Sequence, residues 1–171
     1  MIEVGAGHGL NFALYPDAVE RVLAIEPEPL RRKAAIEAAA KAAIEVEVVE
    51  EVVGELPAAD QSFDAGVASW VLCSVPDQQR ALAELRRVIR PGDELRFYEH
   101  LVAHPPRWAR LQRFADATFW PHVAGGCHLS RDTEAAIEQV GFEIQTSRHF
   151  GFSPRPLVPA IPHILGVARR P

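Results

Sequence analysis

A chain of 171 residues, 48% apolar and 24% charged, has the length and composition of one globular domain that can bury a substantial core. Its net charge of −5 excludes a strongly basic nucleic-acid-binding surface, which needs clustered cations, and no uncharged apolar run approaches the roughly 18 residues of a membrane span. The two cysteines, Cys73 and Cys127, make no disulfide framework, so a reduced, cytoplasmic setting without a signal peptide is expected and homodimerisation is left open.

In chain order, Ile2 to Val4 reads as a short apolar strand that runs into Gly5, Gly7 and Gly9. Leu10, Asn11 and Phe12 open a helical segment behind them. Glycines at a strand-to-helix turn let the backbone come close to a ligand and aim free N–H groups at it. A dinucleotide fingerprint places its third glycine three residues after the second, where this chain has Leu10, so a nicotinamide site is disfavoured. Met1 lies inside the first strand, so the sheet is N-terminally shortened or the start of the chain lies upstream. Val22 to Ile25 is a second strand ending in Glu26 and Pro27. A carboxylate at that tip, about 20 residues past the first glycine, is placed to accept both ribose hydroxyls of a nucleoside.

Pro29 suits a first helical position, and Leu30 to Ala43 is rich in helix formers. Val46, Val48 and Val49 give a third strand, followed by the turn Gly54-Glu55-Leu56-Pro57. Ser62 to Ser69 reads as a fourth strand, near-continuously apolar and so buried on both faces. Trp70 to Ser74 follow at its C-terminal end, where open α/β sheets bind ligands. Pro76 and Asp77 start a helix with Ala81, Leu82, Leu85, Val88 and Ile89 at helical spacing, and Arg90-Pro91-Gly92 stops it. Glu94 to His100 is a fifth strand. A helix over Arg107 to Trp120 carries Trp108, Leu111, Phe114, Ala115 and Phe119, most of them assigned to core packing. Ser130 is the expected N-cap of a helix over Asp132 to Val140. Phe142 to Ser147 and Ile164 to Ala168 are the last strands, and Pro154, Pro156, Pro159 and Pro162 mark a loop between them.

The G-x-G-x-G run, with Glu3 two residues before it, resembles motif I of the class I S-adenosylmethionine (SAM) methyltransferases. Asp60 to His100 resembles the Methyltransferase-11 pattern: S-F-D, an apolar strand, V-P-D, then a helix ending in R-P-G before a strand. L-C-S-V-P-D (Leu72 to Asp77), Y-E-H (Tyr98 to His100) and G-C-H-L-S-R (Gly126 to Arg131) look like the methyltransferase-like thiol S-methyltransferase group. The animal members of that group carry an N-terminal apolar membrane segment that this chain does not show, so membrane attachment is not carried over. The resemblance implies an α/β fold: one doubly wound, Rossmann-like domain over residues 1–171 with a seven-stranded, mostly parallel sheet whose last strand is antiparallel. It implies SAM as cofactor and S-adenosyl-L-homocysteine as product, held by Glu3, Gly5, Ala6, Gly7, Gly9, Glu26, Pro27, Glu55, Ser69 and Trp70. Glu55 takes the place of the family's adenine contact, about one residue closer than usual to the next strand. A helical cover over about residues 104–130 roofs an apolar acceptor pocket. The implied acceptor is a small apolar molecule, a thiol first. A quinone or other C- or O-methyltransferase is the alternative within the superfamily, and a non-catalytic SAM-binding module the alternative outside enzymes.

Methyl transfer is a displacement at a sulfonium methyl, so the protein must align a nucleophile in a low-dielectric pocket. A thiol with a pKa near 8.5 needs only a modest base. His100, at the tip of the fifth strand, is the candidate, against the alternative of a histidine bonded to a backbone carbonyl. Cys73 reads as a small buried hydrophobe, and His8 as facing solvent or the methionine end of SAM. Cys127 with His128 and His122 lacks metal-ligand spacing, and no acid pair suggests a magnesium site, so a metal-free enzyme is expected.

Overall fold

The computed structural model of the chain describes residues 1–153 and 160–171. Its seven strands are β1 (Ile2–Val4), β2 (Arg21–Ile25), β3 (Glu45–Val49), β4 (Phe63–Ser69), β5 (Ile89–His100), β6 (Glu143–Phe152) and β7 (Ile161–Arg169). They form one sheet in the order β3-β2-β1-β4-β5-β7-β6. β1 pairs in parallel with β2 and β4, as β2 does with β3 and β4 with β5, whereas β7 runs antiparallel between β5 and β6. The order reverses at β1, and the expected doubly wound sheet with one antiparallel strand is the observed one.

Strand alternation sets which side chains meet which helices. Leu23 and Ile25 of β2 join Ile2 and Val4 in the main core, under α2 (Gln78–Val88) and α5 (Thr133–Gln139). Val22 and Ala24 point the other way, onto Ala35 of α1 (Pro29–Ala39). α2 buries Ala81, Leu82, Leu85 and Val88, one apolar stripe at helical spacing. Its Asp77 cap accepts the Arg80 N–H, and Glu28 caps α1 ahead of Pro29 by accepting from Leu30 and Arg31. On the α1 side, a groove of about 680 Å³ runs over the middle of the sheet between Met1, Tyr15, Val67, Phe97 and Leu165. It is larger than the hollows at the strand tips, but mid-strand side chains line it. The strand tips, where ligand chemistry belongs in this fold, lie elsewhere.

Several expectations need correction. Behind the glycines there is only a 3₁₀ turn, Phe12–Leu14, because Tyr15 precedes Pro16 and is pushed extended (φ −68°, ψ 137°). α1 stops at Ala39 rather than Ala43. Arg90-Pro91-Gly92 does not follow a helix as a free turn: α2 ends at Val88, and these residues begin β5, with Arg90 held extended by Pro91. The cap of α5 is Asp132, which accepts from Ala135, while Ser130 bonds the Asp116 carboxylate instead. β6 runs on to Phe152, and Pro162 lies in β7 opposite Gly151 rather than in a loop. The loop assignment of Pro154, Pro156 and Pro159 falls outside the described residues. In α3 (Pro106–Thr118) the buried residues are Ala109, Gln112 and Ala115, whose small alanines let the helix lie close. Trp108, Leu111, Phe114 and Phe119 are about half exposed or more, not core. Among the described residues no helix is long and apolar enough to cross a membrane.

Candidate active site

Gly5, Gly7 and Gly9 all adopt left-handed backbone, at φ 67°, 58° and 73°. A Cβ on Gly5 would meet Val71 at 2.5 Å, and one on Gly9 would meet Phe12 at 2.6 Å, so those two glycines serve internal packing. A Cβ on Gly7 would meet nothing nearer than 4.0 Å. Gly7 therefore presents bare backbone to open space, the cradle a ligand needs. Ala6, His8, Ser69 and Trp70 line the hollow beside it, with His8 exposed.

Glu26 is buried at the tip of β2, where Oε2 accepts the Gly7 N–H (2.7 Å) and Oε1 the Glu28 N–H (3.0 Å). Each oxygen keeps a second lone pair, so the carboxylate ties the glycine turn to β2 and can still accept from hydroxyls. Glu3 differs. Both of its oxygens are engaged, with Asn11 Nδ2 and Tyr15 Oη at 2.7 Å each. Burial pushes its pKa up despite those bonds. It braces the segment behind the glycine turn from the opposite face of the sheet to the main core. Pro27 and Glu55 line a groove of about 600 Å³ with Glu26, Val53 and Ser74, and Glu55 is exposed, 3.7 Å from Arg80.

At the end of β4, Trp70 sits at φ 55°, a strained conformation for a bulky residue, with its N–H on the Tyr98 carbonyl at 2.8 Å. The turn after it is strapped down by Glu99. This fully buried carboxylate accepts from Val71 and Leu72 through Oε1 (both 2.9 Å) and from Cys73 through Oε2 (3.1 Å). Burial pushes Glu99 up to about 8, and the nearby Cys73 adds to this against the pull of the three N–H donors. The strap brings Cys73 to His100, whose Nδ1 lies 3.0 Å from Cys127 Sγ. The neighbouring Cys127 thiol and burial push Cys73 up to about 12, whereas the Cys73 thiol and the Trp120 indole draw Cys127 down against burial.

These three side chains border a cavity of about 300 Å³ with Trp70, Trp120, Phe152 and His163 in its walls. It touches the glycine-turn hollow through Trp70 and the Glu26 groove through Arg31, Ser74 and Gly125. From the expected helical cover, Trp120 of α4 (Trp120–Val123) reaches it, while the aromatics of α3 do not. His163, only 1% exposed, faces His100 in the β5–β7 register with ring centroids 4.6 Å apart. Its Nδ1 lies 2.7 Å from the Ile161 carbonyl. A carbonyl only accepts, so the proton sits on Nδ1 and the lone pair on Nε2. Burial lowers its pKa and keeps the ring neutral. His163 Nε2 is buried without a partner among the described residues, and the buried Trp120 Nε1, which makes no well-formed hydrogen bond there, lies near enough to Cys127 to help draw its thiol down. Sequence reasoning missed His163 and the convergence at Cys127, because only the β5–β7 pairing and the turn after α4 bring them to the tip of β5.

Glycine turn, acidic strand tip and doubly wound sheet together define a class I methyltransferase. Residues 2–97 match the Methyltransferase domain family, and the chain belongs to it: it is an enzyme that uses SAM. The chain is 36% identical over 174 residues to the human thiol S-methyltransferase TMT1B, covering 98% of this chain and 69% of that protein. It is 34% identical over 171 residues to human thiol S-methyltransferase TMT1A, with the same coverage. Among solved structures, the geranyl diphosphate C-methyltransferase of Streptomyces coelicolor A3(2) superposes with a TM-score of 0.80 at 14% identity, over 99% of this chain and 71% of that one.

Proposed function

We propose that this enzyme methylates a small thiol held in the cavity between Trp70, Trp120, Phe152 and His163. One observation carries the reading: His163 and Trp120 wall one largely apolar cavity, and His163 Nε2 is a buried acceptor without a partner among the described residues. Unpaired buried polar groups are costly, and a thiol, a weak donor through its hydrogen, can satisfy that acceptor. The names of the relatives point to the same acceptor. SAM, when bound, supplies the electrophilic methyl. On this reading the open side of Gly7, with Gly5 and Ala6, takes its methionine portion while Gly9 shapes the turn from within, Glu26 takes its ribose hydroxyls, and Pro27 and Glu55 the adenine side. Ser69 and Trp70 separate cofactor from acceptor, and Glu3 acts from behind by bracing the turn.

The acceptor proton passes to His163 Nε2. His100, the base expected from sequence, lies beside it but has Nδ1 engaged with Cys127. The two free, buried cysteines suit a reducing, cytoplasmic setting, and the net charge of −5 suits a small-molecule rather than a nucleic-acid partner. The reading is tested by offering SAM with an alkyl thiol, a phenol or a quinol and measuring S-adenosyl-L-homocysteine. Turnover with the thiol is expected. Turnover with phenol or quinol alone would assign the enzyme to the O- or C-methylating branch instead.

Glu26 supplies a second test. Hydrogen bonds to a charged group are worth roughly 1.5–3 kcal/mol, so Glu26→Ala is expected to weaken SAM binding about ten- to a hundredfold by calorimetry. A loss under twofold would leave Glu26 as a backbone latch only.

A further inference from the structure

We propose that Cys73, His100 and Cys127 form a site for a soft divalent metal ion, zinc in first place, with the fourth position open to the acceptor cavity. The three donors come from different elements: the turn after β4, the tip of β5 and the loop after α4. All three side chains are buried, and their donor atoms lie within 4.8 Å of one another. His100 Nδ1 and Cys127 Sγ are 3.0 Å apart. Tetrahedral zinc, with bonds of about 2.3 Å to sulfur and about 2.0 Å to nitrogen, sets neighbouring donors roughly 3.5–3.8 Å apart. Small side-chain rotations therefore complete three corners of a shell that the backbone has already assembled.

The donor chemistry selects the ion. Two sulfurs and an imidazole suit zinc and do not suit magnesium or calcium, which take oxygen. Each cysteine releases its proton when the ion enters, and the two thiolates balance the double positive charge, so no net charge is buried. Three protein ligands leave one position free, the pattern of a reactive rather than a closed structural site. That position adjoins the cavity that all three ligands border, where the His163 ring, its Nε2 without a partner among the described residues, stands beside the His100 ring. A thiol entering there binds through sulfur and gives its proton to His163, so the metal holds it as thiolate. This last part rests on the thiol reading above, whereas the three-ligand site does not.

The test uses the full chain, reduced and stripped of metal, titrated with cobalt(II). One equivalent is expected to give the intense visible bands of a four-coordinate ion with thiolate-to-cobalt charge transfer, and zinc is expected to displace it. Wild-type spectra report the ligands directly, so the result does not depend on whether a variant folds. Cys73→Ser, Cys127→Ser and His100→Ala are each expected to weaken zinc binding by about a hundredfold or more, and His122→Ala, exposed on α4, not at all. Adding a small alkyl thiol is expected to shift the visible bands. Absence of one-to-one binding, a spectrum without sulfur charge transfer, or folded variants that bind as wild type would overturn the site. A cobalt spectrum indifferent to thiols, or full thiol turnover by metal-free enzyme, would overturn the open fourth position while leaving the thiol reading intact. An intact cobalt site in an enzyme that methylates only phenols would support the metal site and remove the thiol reading.

Discussion

Gly7→Val is expected to yield a folded protein with no measurable SAM binding in a calorimetric titration. At φ 58° a β-branched residue is strained by about 1–2 kcal/mol or somewhat more, a cost a domain stable by roughly 5–15 kcal/mol can absorb. Its Cβ would meet no protein atom nearer than 4.0 Å, so the backbone neighbours leave room for it. The added methyl groups instead occupy the space where the ligand approaches bare backbone, and they do so whatever the exact pose of the cofactor. Gly5→Ala makes the internal control. Its Cβ would collide with Val71 at 2.5 Å, so that variant is expected to lose stability first. A Gly7→Val protein with a native melting profile and wild-type SAM affinity would remove the glycine turn from the cofactor site.

The sheet was readable because each strand announces itself locally. Ile2 to Val4, Val22 to Ile25 and Ser62 to Ser69 are short apolar runs with glycine, proline or acid at their ends, and strand order follows from their sequence in an α/β chain. The place of Glu26 at the tip of β2 was readable for the same reason: a strand tip is a local feature. What failed was decided by neighbours or by a proline. The helix expected behind the glycines stops at a single 3₁₀ turn because Pro16 bends Tyr15 out of helical backbone. The aromatics of α3 looked like core because they recur on overlapping faces, yet the small residues Ala109 and Ala115 face inward and Trp108 and Phe114 outward. Periodicity says that a helix has an apolar stripe. It does not say that the stripe meets anything. The Cys73–His100–Cys127 cluster was hidden more deeply. Metal-ligand spacing is a signal of donors on one hairpin or helix, and here each donor arrives from its own element, set by the Glu99 strap and by the hydrogen bond from the His128 N–H to the Cys73 carbonyl at 2.8 Å.

His163→Ala is expected to lower thiol turnover by roughly a hundredfold or more while SAM affinity stays within twofold. The ring qualifies as a proton acceptor on three counts. Its tautomer is set by the Ile161 carbonyl, its Nε2 has no competing partner among the described residues, and burial holds its pKa below the ordinary 6.5. The last point gives the sign of the pH dependence. The base works when neutral, so turnover falls as pH drops through the His163 pKa, and that acid limb lies below pH 6.5. His100→Ala is the discriminating partner. It removes a neighbour of Cys127 and a metal donor, so it too lowers turnover, but it leaves the acid limb in place, whereas His163→Ala abolishes the limb. If instead His163→Ala keeps more than about a tenth of wild-type turnover and the limb vanishes only in His100→Ala, the proton goes to His100. His163 would then be a structural ring that orients its neighbour across the β5–β7 pair.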